Sequence, residues 1–473
     1  LVYNVSMADA QNRALLGKRD TTLYRADPWR VEWFNEGVAA PDTEVTETLL
    51  RTLTPNTWTL LSPPKKPASN HDWGTSVYDS DRDRIILFSG GHSAHCGNEV
   101  DEYTIATNRW KISYVPEWPL EETYNSGLPF LFSFSGRPMV THSYDNYAYD
   151  TIVHKMLYIK PNYTFFYNPS VADWDSVIPN PSLFTTDYHH IAVNRTKHGS
   201  LAWVRQGSSG AYALYALDYD SLRWRLLPRT GAVLPSCYGD NGGGAYDSKR
   251  DRFVMVYCSG TTDPQVVSYD FATGVATALT PANNAIARTS YMRECVYMPE
   301  FDRIIFGAEQ NGKLLAFNCE SNEWEVLDVV RPTTVLSPNT RGTGFMLDTK
   351  RGLLWYHEAN SMKTSVIKLT SAVFPSGSYT EKKSDKAKTY LKISPNPFNP
   401  STSVMFSLPV AGNVTLAIYT PDGRIVKELL QSTRTEAGSH AIKLDGKELT
   451  SGAYIVKLEC GNMRLQKKLV MLK

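Results

Sequence analysis

The sequence predicts an all-β chain: a six-bladed β-propeller closed by an N-terminal strand, followed by a small C-terminal β-sandwich. Three observations carry this expectation. A four-strand pattern recurs six times between residues 56 and 370, a strand-like segment stands alone ahead of the first repeat, and the chain beyond a Ser/Gly/Lys-rich stretch alternates apolar and polar positions.

The clearest repeat runs from His71 to Ser113. It holds an apolar opening ending in Val77-Tyr78, a polar turn, the run Ile85-Ile86-Leu87-Phe88 closed by Gly90-Gly91, then Val100 to Ile105, and Arg109 to Ser113 around Trp110. Each run is short, β-branched or aromatic, and bounded by Gly, Asp, Asn or Ser, which favour turns over strand interiors. Such a unit cannot bury both faces by itself and needs neighbours.

The end of the first strand recurs as Tyr78-Asp79, Tyr149-Asp150, Val193-Asn194, Tyr246-Asp247, Tyr297-Met298 and Leu347-Asp348. After a polar turn each is followed by an apolar run: Ile85 to Phe88, Met156 to Ile159, Leu201 to Val204, Phe253 to Tyr257, Ile304 to Phe306, Leu353 to Tyr356. The intervals of 71, 44, 53, 51 and 50 residues suit propeller blades, the first being lengthened by an aromatic and Pro-rich insertion from Tyr114 to Met139.

Trp110, Trp174, Trp224 and Trp324 mark the fourth strand, with Gly274 to Leu279 in its place once. The sixth repeat lacks a fourth strand, and Asn56 to Leu61 is a strand without a repeat. Pairing the two would close a ring and remove the exposed edges of an open array. The paired glycine and the Trp resemble the kelch repeat of galactose-oxidase-like propellers over roughly residues 56–370, with the full form only in the first repeat. Tandem β-sandwiches are the alternative this spacing allows, but they have no reason to keep a common register.

Residues 1–55 show weak periodicity and one dense aromatic patch, Asp27 to Phe34, and are expected to form an arm packed on the propeller. A net charge of +1 argues against nucleic-acid or anionic-membrane binding driven by bulk charge, and no apolar run approaches membrane-spanning length. Cys237 with Cys258, and Cys295 with Cys319, each fall within one blade. Either pair could cross-link in an oxidising compartment or remain as buried thiols.

Residues 371–390 read as a solvated linker. Residues 391–473 then give Ser394-Pro-Asn-Pro-Phe-Asn-Pro-Ser-Thr402, alternating strands, an Asp422-Gly423 turn, Ser451-Gly452-Ala453-Tyr454 and a basic apolar end. Physically this is a small β-sandwich whose proline cluster blocks pairing at its opening edge. These motifs closely resemble the C-terminal sorting domain of cargo for the bacterial type IX secretion system. The resemblance implies that the secretion machinery is a partner of residues 391–473, with transit through the periplasm and an extracellular or outer cell-surface location.

Candidate site residues follow from topology. In a four-stranded blade, the loop before the first strand and the loop between the second and third open on one end. That rule gathers His71, His92, His95, His142, His189, His190 and His357 there, and puts only His154 and His198 at the opposite turns. His71 and His142 share a register position, as do Trp73, Tyr144 and Tyr188. Arg205 ends the second strand of the third repeat, and Arg293-Glu294 begin the fifth. An aromatic-rimmed polar pocket is an ordinary form of binding site.

A His and a Tyr across a pocket can exchange protons with a substrate carbon and a leaving oxygen while an Arg neutralises the adjacent carboxylate. That is the equipment for β-elimination from uronic-acid polysaccharides. In fold and residue types the chain is similar to propeller-fold polysaccharide lyases, ulvan lyases among them. The resemblance implies His142, Tyr188 and Arg205 as catalytic groups, with His189 a further candidate, and an acidic polysaccharide or other extracellular glycan as partner. His71, Trp73, His92, Tyr144 and Arg293 are the expected substrate contacts. Tyr188-His189, Tyr144, Cys96 and His357 supply residue types for a copper radical site, and His92-x-x-His95 for zinc, so the cofactor is left open. A non-catalytic carbohydrate binder, adhesin or assembly subunit would use the same rim.

Overall fold

The structure is a computed structural model that describes residues 46–64, 74–88, 98–114, 137–138, 143–184, 190–207, 210–310, 313–335, 344–358, 363–374, 390–408, 412–435, 438–461 and 463–472. The chain divides into two compact units, Leu1–Ser378 and Tyr379–Lys473. Both are built almost wholly from antiparallel strands.

In the first unit β1 (Thr59–Leu61) precedes six sheets. The first holds β2 (Ser76–Asp79), β3 (Arg84–Leu87), β4 (Asp101–Thr104) and β5 (Arg109–Ile112). The second holds β6 (Tyr147–Asp150), β7 (Lys155–Ile159), β8 (Tyr163–Asn168) and β9 (Asp173–Pro179). The third holds β10 (Ile191–Thr196), β11 (Gly199–Arg205), β12 (Tyr212–Asp218) and β13 (Arg223–Leu226). In the fourth, β14 (Thr230–Gly231) lies parallel on the outer edge of β15 (Gly242–Asp247), β16 (Arg252–Tyr257), β17 (Gln265–Asp270) and β18 (Val275–Leu279). The fifth holds β19 (Cys295–Met298), β20 (Arg303–Gln310), β21 (Lys313–Asn318) and β22 (Glu323–Leu327). The sixth takes β23 (Phe345–Asp348), β24 (Leu353–His357) and β25 (Thr364–Ile367), with β1 as its fourth strand through Thr59↔Val366.

Alternation along each strand decides the packing. Ile85 and Leu87 bury against Trp355 of the sixth sheet, while Ile86 and Phe88 bury against Tyr158 of the second. Further cores of the same kind join the second sheet to the third, the third to the fourth, and the fourth to the fifth. Each first strand packs beside those of adjoining sheets, and β23 packs beside β2. One cavity of about 310 Å³ is lined by all six first strands, with Tyr78, Tyr149, Arg195, Tyr246 and Tyr297 on its wall. Of the N-terminal arm, the helix Glu47–Arg51 is described; Leu50 and Leu53 join the core between the sixth and first sheets.

The turn between the first two strands repeats a device. Asp79, Asp150, Asp247 and Asp348, none with exposed surface, each accept two backbone N–H bonds from their own turn. This is the Asx geometry that stabilises tight turns. Arg250 donates to Asp302 of the next sheet over 2.8 Å, and Arg351 to Asp83 over 2.7 Å. His154 pairs with Asp81, and His198 with Asp251. Burial works to raise the Asp83 carboxyl, but hydrogen bonds from Arg351 and Lys350 hold it down to about 2.

The described cysteines are free thiols; Cys237, Cys258 and Cys319 are buried, and Cys295 is half-buried. No helix among the described residues is long and apolar enough to cross a membrane.

The second unit has a three-stranded and a four-stranded sheet around Phe398, Val404, Phe406, Leu416, Val456 and Leu469. Its proline cluster does more than block an edge. Prolines lack an N–H, but Phe398 between them donates to Val470 O and accepts from Leu472 N, and Asn396 Oδ1 accepts from Val470 N. The cluster is thereby tied to the last strand, Met463–Met471.

Candidate functional site

The site lies at the sheet ends where first strands begin and second strands finish. Ile191 pairs with Val204, which sets His190 beside Arg205. Arg205 Nη1 approaches His190 Nε2 at 3.4 Å, and the other ring nitrogen, Nδ1, lies 2.5 Å from the Tyr212 hydroxyl. A guanidinium only donates, so Nε2 accepts, and Nδ1 carries the proton and donates to Tyr212, whose hydroxyl also shares a hydrogen bond with Ser236 Oγ at 2.7 Å. Burial pushes the Tyr212 phenol up to about 12, so it stays protonated at neutral pH. Among the described residues no carboxylate pairs with Arg205, which is half-buried. The exposed Tyr238 ring lies 4.8 Å from that of His190.

A second cluster surrounds Arg293. Expected as a substrate contact at the rim, Arg293 is instead only 2% exposed. It meets Asp240 at 3.3 Å and Glu294 at 3.1 Å, donates to Gly74 O at 2.9 Å, and lies over the Tyr144 ring. Its charge is already matched, so it organises the rim rather than facing solvent. Tyr144, also expected as a contact, is buried beneath it. Asp145 keeps some surface, yet its carboxyl is hemmed in; burial first, then the Glu294 charge, raise it to about 8, against the pull of Arg293. Asp145 therefore holds its proton at pH 7.

Other expectations fare differently. His357 was expected at the rim but is wholly buried, packed 4.8 Å from Trp110 and pushed down to about 3 by burial. It is a neutral core histidine and cannot reach a copper ion at the surface. His71, Trp73, His92, His95, Cys96, His142, Tyr188 and His189 lie outside the described residues. Among the described residues, Asp247, Asp302 and Cys319 come close enough to hold a metal. Arg250, Arg252 and Lys249 already pair with those carboxylates, and burial raises the Cys319 thiol to about 12, so the group does not fit one.

Lys160 escaped the sequence reading. It follows β7 in the register position that Gln206 occupies in the next sheet, is 2% exposed, and lies over the Tyr158 ring. No acid partner meets its ammonium among the described residues, and burial pushes it down to about 7. Its depth could not be read from a single Lys after an apolar run.

Residues 392–472 match the family described as the secretion system C-terminal sorting domain. The tail is a type IX sorting domain. Through its sorting domain the protein is exported to the cell surface or extracellular space, and the secretion machinery is its partner there. A comparison with curated proteins finds no match. One solved structure, the extracellular domain of a hybrid two-component system protein from B. thetaiotaomicron, aligns over 87% of this chain and 76% of its own at 9% identity and a TM-score of 0.25. That likeness is too distant to carry an argument.

Proposed function

We propose that residues 56–370 are a six-bladed propeller closed by β1, between an arm (1–55) and a linker (371–390), and that its Arg205 end binds an acidic extracellular polysaccharide. The ring is supported by β1 on the sixth sheet, by β23 beside β2, and by the cavity common to all six first strands. The observation that carries the ligand class is Arg205: a guanidinium oriented by His190, without a carboxylate among the described residues, on a protein exported from the cell. A planar guanidinium matches a uronate carboxylate in charge and geometry.

The Tyr212–His190 hydrogen bond beside that cation favours a second reading, β-elimination. In that step the C5–H bond breaks, its electron pair forms the C4=C5 double bond, and the C4–O4 bond breaks with a proton delivered to the leaving oxygen. Both nitrogens of His190 are engaged, so it serves to orient Arg205. Base and acid would come from His142, Tyr188 or His189, as the sequence proposes. Incubation with alginate, pectate, glucuronan and chondroitin sulfate separates the readings. Binding without ultraviolet absorbance from unsaturated uronate marks a binder, absorbance marks a lyase, and failure to bind any of the four rejects both.

A further inference from the structure

Two tyrosines at the same end present their rings to solvent. Tyr238 is 43% exposed and Tyr291 38% exposed, on the loops that lead into β15 and β19. Those loops are joined at one point, where the carbonyl of Asp240 accepts from the backbone N–H groups of both Met292 and Arg293. The approach is so close that a Cβ on Gly243 would stand 1.9 Å from Met292 O, which leaves glycine as the residue that fits. Arg293 then bolts the junction through Asp240, Glu294 and Gly74 O. The Gly239 turn also rests on the Tyr144 ring, so the platform is rigid beneath.

We infer that Tyr238 and Tyr291 form an aromatic sugar-stacking subsite adjoining Arg205, held in place by Arg293 as a positioning residue. This rests on the acidic-glycan reading and adds to it: the ligand extends beyond the single unit whose carboxylate meets Arg205. The apolar C–H face of a pyranose ring lies against an aromatic ring with little ordering cost, because Tyr has few rotatable bonds. Tyr238, 4.8 Å from His190 and itself exposed, links the cationic point to the stacking surface. Carboxylate recognition and ring stacking then fall on one continuous stretch of rim, in the third, fourth and fifth sheets.

The test is calorimetric titration of the full chain with two-, four- and six-unit oligosaccharides of alginate, pectate, glucuronan and chondroitin sulfate. Wild type should gain affinity from two to four units. Tyr238→Ser and Tyr291→Ser should each lose about three- to tenfold on four units but little on two. Tyr238→Phe should keep wild-type affinity, since stacking needs only the ring. Arg293→Lys should lose as much as either Ser variant; should it unfold, the Tyr variants decide alone. If Arg205→Ala abolishes binding while both Ser variants bind normally at every length, the subsite is wrong and the glycan reading stands. If wild type binds none of these sugars, the glycan reading falls and the subsite with it.

Discussion

The two ends of the six sheets spend their charges differently. At the turn end, buried and half-buried carboxylates meet arginines and a lysine of their own and adjoining sheets: Asp247 with Arg250 and Arg252, Asp302 with Arg250 and Lys249, Asp83 with Arg351. At the opposite end Arg205 has no carboxylate among the described residues, Lys160 is sunk without an acid, and two tyrosines face water. Ionic groups that satisfy one another hold the sheets in register. Those left over can serve a ligand, because no internal partner must first be displaced.

The contrast can be broken most sharply at the turn end. Asp247→Ala removes a carboxylate with no exposed surface, takes the acid from Arg252 and leaves Arg250 with Asp302 alone, so denaturant unfolding should show a loss of about 3–5 kcal/mol. A loss under about 1 kcal/mol would mean that the belt holds nothing together.

Lys160→Met should act in the opposite direction. The native Lys160 ammonium is depressed to about 7 against roughly 10.4 in the unfolded chain. Its burial therefore costs stability that appears as pH falls from about 10 to about 7 and is constant below. The Met variant should be more stable than wild type at pH 6, by on the order of 2–4 kcal/mol, and the gain should shrink toward pH 10. Equal gains at both pH values would show that packing alone is responsible.

Acid should loosen the turn end first. Asp83 and Asp251 are held down to about 2, against roughly 3.9 when unfolded. Their contribution is fully present above about pH 4 and disappears as pH falls toward about 2. Tryptophan fluorescence should accordingly stay native to about pH 4 and change below it; a transition centred near pH 6 would point to other groups. Arg205→Ala should have the smallest structural effect, within about 0.5 kcal/mol of wild type in unfolding, because it breaks no ion pair among the described residues. Its effect belongs to binding.

Much of the fold was legible in the repeats because period-2 alternation and Asx turns are local. Tyr78-Asp79 and its equivalents mark the first strands, and the unmatched strand before the first repeat does pair with the sixth sheet. What escaped depends on depth. His357 ends a second strand as the open-end rule requires, but its side chain falls on the face that packs on Trp110. Arg293 opens a first strand yet is covered because the loops of Gly74 and Asp240 close over it. A register tells which end of a sheet a residue occupies. It does not tell whether a neighbouring loop lies on top.

Hydrogen–deuterium exchange of the full chain, with and without the acidic polysaccharide it binds most tightly, tests the division of labour most directly. Protection is expected in segments 190–206, 236–241 and 289–294, with turns 79–84, 150–155, 247–252 and 348–353 unchanged. Protection confined to those turns, or none in the three open-end segments despite saturation, would contradict the account.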